Sequence, residues 1–195
     1  MFLNSLPFVV LLLTPCEGCH QPQLPGGTML HPSGHATVIS EFTDGIARYM
    51  NVRWMLEPPI GPETLCADPE ETQRVLVEFA NTIRLERAAA RPGNIFTPAV
   101  ARFFRRHVGA ALRADGYHVR TDLEDAETGI PIDLPTVEVN GALPWGVGDL
   151  LWPSLLAKLP ALPVELEYRI VGRDLVLLDV SINLVVDILE NVDGR

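Results

Sequence analysis

The stretch Val164–Leu189, VELEYRIVGRDLVLLDVSINLVVDIL, decides the fold. Leu166, Tyr168 and Ile170 alternate with Glu165, Glu167 and Arg169. A strand turns successive side chains to opposite faces, so this run has one apolar and one wet face. Gly172-Arg173 follows, and Gly at the first central position of a two-residue loop suits a type II′ hairpin turn. Leu175-Val176-Leu177-Leu178 is apolar on both faces, as in a central strand covered on both sides. Ser181-Ile182-Asn183 gives a second reversal, because Asn accepts a left-handed backbone cheaply. Leu184–Leu189 then returns. The segment predicts a three-stranded antiparallel meander whose apolar face needs helices to cover it. Asp174 and Asp179 fall at strand ends, where Asp bonds to turn backbone, and simple alternation lets Asp187 face solvent. Three carboxylates on neighbouring strands are also the oxygen ligands a hard cation takes.

The helices come from upstream. From Ala36 to about Leu56, Phe42, Ile46, Tyr49 and Met50 recur at helical spacing, and Pro58-Pro59 stops the run. Gly45 inside it is a small cost or a point of close packing. Asp68, Pro69 and Glu71 form an N-cap, N1 and N3 start signal for a second helix with the stripe Val75, Leu76, Phe79 and Ile83. Pro92-Gly93 ends it. Thr97-Pro98 opens a third, with Val100, Phe103, Phe104, Val108 and Leu112 inward and Gly116 as the stop. Phe96 is placed to pack back as a hydrophobic staple. Residues 117–134 read as a polar excursion. Val137–Val139 reads as a short strand, and Pro153 as the start of a short helix through Lys158. Trp145 and Trp152 read as lids over the core rather than as exposed ligand platforms. The expected class is therefore α+β: about three amphipathic helices on a small C-terminal antiparallel β-meander, in a single domain spanning 36–189 with a tail at 190–195.

The 195 residues carry a formal net charge of −10, with 47% hydrophobic residues. Such a chain can bury a core, and its acidic balance disfavours nucleic acid as a partner. Arg84, Arg87, Arg91, Arg102, Arg105 and Arg106 form a local basic patch. Pairing with Glu70, Glu71, Glu78 and Glu86, or solvation, accounts for such a patch; an anionic ligand is the other reading.

The first thirteen residues, MFLNSLPFVVLLL, hold an apolar run from Leu6 to Leu13. It is too short to span a bilayer and matches a signal-peptide h-region. Residues 1–18 are expected to be a signal peptide or lipoprotein-type signal, with Cys19 as the lipidation candidate and a membrane tether at the N-terminus. Residues 19–35 are expected to be a linker, and the chain to be exported to the periplasm or outer envelope. In an oxidising compartment Cys19 and Cys66 are available to pair, or Cys66 is a small buried hydrophobe.

Cys16-Glu17-Gly18-Cys19-His20 matches C-x-x-C-H, the attachment signature of c-type haem, with His20 as proximal ligand. Its context differs from a haem site: it abuts the h-region, and the turn-rich QPQLPGG follows instead of a helix. His31 and His35 stand at the i, i+4 spacing of a metal-ligand pair, but Pro32 and Gly34 make the segment a loop. His107 and His118 are isolated. No phosphate loop, nucleophile elbow or HExxH signature occurs, and no Ser/His/Asp trio stands out, so no catalytic residue is assigned.

ARPGNIFTPAVARFFRR (90–106), VNGALPWG (139–146) and LPALPVELEYRIVGRDLVLLDVSINLVVDIL (159–189) together resemble a group of small exported bacterial proteins without an established activity. The closing hairpin, from Tyr168 to Asp187, also resembles the C-terminal hairpin of periplasmic nickel/cobalt-homeostasis (RcnB-like) proteins. The first resemblance implies export, and the absence of catalytic motifs adds the expectation of a non-enzymatic envelope protein acting through protein or surface contacts, with an envelope protein as the partner. The second implies a periplasmic metal-binding module. A haem electron-transfer protein is the third reading.

Intact mass of protein recovered from its native host separates these. The expected mass lacks residues 1–18 and carries no haem adduct. A product retaining Cys16 with a Soret band that survives denaturation would establish the haem reading instead.

Overall fold

The computed structural model describes residues 34–59, 69–114, 136–144 and 146–192, which belong to one compact unit, Pro32–Arg195. The chain runs α1 (Gly34–Leu56), α2 (Pro69–Glu86), α3 (Pro98–Ala114), β1 (Asp149–Leu150), α4 (Pro153–Leu156), β2 (Leu166–Val171), β3 (Asp174–Asp179) and β4 (Leu184–Leu189). The strands form one antiparallel sheet in the order β1-β2-β3-β4. This is the α+β architecture expected, with the C-terminal meander at its centre. No helix among the described residues is long and apolar enough to cross a membrane.

Local chemistry places the ends of these elements. Val171 pairs with Asp174 across Gly172-Arg173, and Gly172 takes φ 57° while Arg173 does not go positive, as a type II′ turn requires. Asn183 takes φ 49° in the second reversal. The Thr97 hydroxyl accepts the Val100 N–H at 3.4 Å, with Pro98 at the first helical position of α3. Proline also opens α2 and α4. Helix α1 begins at Gly34, two residues ahead of the expected start, so His35 belongs to its first turn and not to a linker. The expected cap Asp68 and stop Gly116 lie outside the described residues, as do the 117–134 excursion and Trp145.

Two apolar layers flank the sheet. On one face Phe42, Ile46, Met50, Phe79, Ile83, Phe96, Val100, Phe104 and Leu112 meet Tyr168, Leu175, Leu177, Leu184 and Leu189. On the other, Val176, Leu178, Val185 and Ile188 lie beneath Leu143, with Val137, Val139 and Val147 at the margin. Strand β3 is thus covered on both sides, which explains its unbroken apolar run. Val137–Val139 forms no strand. The chain touches β4 one step later, where Asn140 N donates to Val185 O at 2.8 Å and Val185 N to Gly141 O at 2.9 Å. The two-residue strand β1, unanticipated from sequence, pairs with Arg169 and Ile170. Trp152 packs partly buried against the helix-side core, as a lid does.

A β-bulge reorients β4. Leu178 faces Val185 and Leu177 faces Asp187, so Val186 is the extra residue. Cross-strand partners share a face, so Asp187 joins Leu177 on the helix side. Simple alternation would put it on the other face. The expectation that Asp187 faces solvent is therefore wrong: its side chain is fully buried. Its Oδ1 accepts from Gly93 N at 2.8 Å and Ile188 N at 2.9 Å. Its Oδ2 accepts from Ile95 N at 2.6 Å and Phe96 N at 2.7 Å. Burial pushes its pKa up, and these four donors oppose that by favouring the charged form. All four partners donate, so a proton on this carboxyl would have no acceptor. The 93–96 loop is thereby clamped onto the sheet, and α1 closes over it. A Cβ at Gly45 would come within 3.2 Å of Ile95 Cγ2, which identifies Gly45 as a close-packing point.

Asp187→Asn keeps the shape and turns an NH2 toward N–H groups. It is expected to cost about 2–4 kcal/mol of unfolding free energy in urea titrations, the range for leaving buried polar groups unmatched. A loss below about 0.5 kcal/mol would show that the clamp is not needed.

Candidate functional site

A second buried carboxylate ties the sheet to α1. Asp179 ends β3 and is fully buried. Its Oδ2 accepts from Tyr49 Oη at 2.7 Å and Arg53 Nε at 2.9 Å, both on α1. Its Oδ1 accepts from Ser181 N at 3.2 Å and Ser181 Oγ at 2.7 Å. Arg53 is itself buried and extends to Ser181 Oγ at 2.8 Å and Glu57 Oε1 at 3.0 Å. Burial first, and then the Asp179 charge, hold Tyr49 protonated well above its usual range. The turn-bonding role expected of Asp179 is present, and the pairing with α1 is added to it.

The arginines of the basic patch do not find the glutamates expected for them. Arg87 lies over the Tyr49 ring, 5.0 Å from its centroid, and donates to Val186 O and Asn140 Oδ1, both at 2.7 Å. Asn140, at φ 65°, returns a bond to Arg87 O at 2.7 Å. Arg84 donates to Asn140 O at 2.9 Å and Asn81 Oδ1 at 2.7 Å. Arg91 and Arg105 also donate to main-chain carbonyls. Arg102 and Arg106 are exposed. A guanidinium carries five donors in a planar fork, so it can satisfy carbonyls left over at helix ends and at a bulge.

These contacts frame a cleft of about 500 Å³. Gln73, Leu76, Val77, Ala80 and Arg84 of α2 form one wall. Ala142–Pro144 with Gly146 and Val147 form the second, and Leu178 with the β3–β4 turn, 180–183, closes the third. The turn is held by the Asp179–Arg53 pair through Ser181, and by Asn183 Nδ2 donating to Leu143 O at 2.9 Å. Arg169 reaches the cleft from β2 and donates to Glu167 Oε2 at 3.0 Å. Among the described lining residues, the titratable groups are the two arginines.

The sequence-level candidates fall elsewhere. Cys16, Cys19, His20 and His31 lie outside the described residues, as does Cys66. His35 is exposed, with its ring edge-on to Phe103 at 4.9 Å and to His107 at 5.9 Å. Asp174 accepts from Asn191 N at 2.9 Å, and the three strand aspartates do not converge. Among the described residues no group of three or more His, Cys, Asp or Glu is placed to hold a metal ion. The cleft escapes sequence inspection because its walls come from three separated stretches and share no motif. The one available signal was Arg84, a cation on the α2 face.

Removing one member of the buried pair should cost more than removing both. Asp179→Leu alone is expected to lose about 3–5 kcal/mol, because Arg53 is left buried without its buried partner and with only the exposed Glu57 carboxylate against its charge; adding Arg53→Met should restore part of that loss. Urea unfolding of the two single variants and the double variant measures this coupling. Additive losses would contradict it.

Comparison of the chain with protein-family models, with curated proteins and with solved structures finds no match.

Proposed function

We propose that this chain is an exported cell-envelope protein that acts by binding a ligand in the cleft between α2, the 142–147 segment and the β3–β4 turn, and not by catalysis. The observation that carries the reading is the chemistry of the cleft wall. It offers apolar surface from Leu76, Val77, Leu143, Val180 and Ile182, with guanidinium, hydroxyl and amide groups beside it. Both described cations there are guanidinium groups, which carry five donors and no acceptor, so neither serves as a general base. The buried carboxylates that could have done acid–base work are saturated as clamps: Asp187 by four N–H groups, and Asp179 by Tyr49, Arg53 and Ser181. Concave, mostly apolar sites with a few fixed polar groups are what small-ligand binding uses. Export is supported by the Leu6–Leu13 h-region and by the resemblance to small exported bacterial proteins.

Fluorescence titration with the neutral apolar probe N-phenyl-1-naphthylamine tests the binding reading. Saturable binding at one site is expected, and Ala142→Trp, which adds bulk at an exposed lining position, should weaken it by about tenfold or more. Binding that ignores this variant would place the ligand elsewhere, and turnover across a broad substrate panel would end the non-catalytic reading.

A further inference from the structure

The cleft has a polar end that its apolar walls do not explain. Arg84 is half-buried at the wall. Its two hydrogen bonds go to neutral acceptors, Asn140 O and Asn81 Oδ1, through Nε and Nη1. It joins none of the salt bridges among the described residues. The chain has 25 acidic residues against 15 basic ones, so an ion-pair partner for Arg84 was readily available. Arg169, the second cation of the cleft, is matched by Glu167 through both Nε and Nη2. The site therefore holds one oriented guanidinium, fixed by its neutral bonds, whose charge no described carboxylate compensates. A planar fork held in place beside apolar surface favours a carboxylate, which it can grip through two parallel bonds. One uncompensated charge suits a monoanion. A more highly charged head group would also meet the Glu167 carboxylate paired to Arg169.

Resting on the binding reading above, we infer that the cleft takes a small carboxylate-headed amphiphile, with its head group on Arg84 and its hydrocarbon body against Leu76, Val77, Leu143 and Val180. The cleft volume of about 500 Å³ lies within the range of small-molecule sites, roughly 300–1,000 Å³. Val77 and Val180 are 47% and 43% exposed, so apolar surface is open beside the cation.

Calorimetric titration of the full chain with dodecanoate and with dodecanol, both below micelle-forming concentrations, tests the assignment. Dodecanoate is expected to bind one-to-one and at least about tenfold tighter than the alcohol, since a charge-assisted pair is made only by the acid. Arg84→Gln should remove most of that preference. Arg84 also braces Asn140, so Val180→Asp provides an independent check at an exposed lining position: it removes apolar wall from both ligands and opposes only the acid's charge, so it should weaken dodecanoate by a clearly larger factor than dodecanol. Circular dichroism verifies that both variants are folded. Equal affinity for acid and alcohol overturns the ligand class, as does a leucine-ending peptide that displaces dodecanoate at lower concentration. If N-phenyl-1-naphthylamine still binds in the cleft in either case, the binding reading survives. If neither probe nor amphiphile binds, both fall.

Discussion

A carboxylate without water around it dictates how this fold is assembled. Asp187 sits inside the helix–sheet interface and gathers four N–H groups, three of them from the loop between α2 and α3. Neither partner can do without the other: the loop's N–H groups need acceptors once buried, and the carboxylate needs donors once dehydrated. The bulge at Val186 is what brings them together. It turns Asp187 to the helix side, and it leaves the Val186 carbonyl for Arg87. The irregularity in β4 thus sets the position of both helices that flank the loop.

Asp179 repeats the arrangement two residues beyond Leu177, the partner of Asp187, with α1 in place of the loop. Between them the two carboxylates fix helix layer to sheet at separate points, and apolar packing fills the space between. Buried charges of this kind add little net stability compared with well-packed hydrocarbon, but they tolerate few alternative registers. The cleft depends on that choice. Its third wall is Leu178 with the 180–183 turn, and Ser181 of that turn is held by Asp179 and Arg53, which do not themselves line the opening.

Sequence patterning read the regular parts of this molecule. The alternation at Leu166–Ile170, the Gly172 turn, the Thr97-Pro98 helix start and the inward stripe Val100–Leu112 all depend on neighbours within a few positions, and local periodicity reports them. What it missed lies where the period breaks or where the partner is remote. The period of two fails at Val186, which sent Asp187 to the wrong face. For the arginine patch the sequence suggests pairing with Glu70, Glu71, Glu78 and Glu86 or solvation, whereas the acceptors of Arg84 and Arg87 at Asn140 lie 56 and 53 positions away. Strand β1 is too short to leave a pattern. The cleft is assembled from positions between Gln73 and Asn183 with no shared signature.

The clamps also span long distances along the chain. Tyr49 and Asp179 are 130 positions apart, and Ile95 and Asp187 are 92 apart. During synthesis on the ribosome the three long helices emerge well before the strands that cover them. Until the last of those strands is free, Phe42, Phe79 and Phe104 have no sheet to pack on, and the loop amides bond to water. Folding must then wait until β4 has emerged, and the nascent helices are natural clients for a chaperone during that interval.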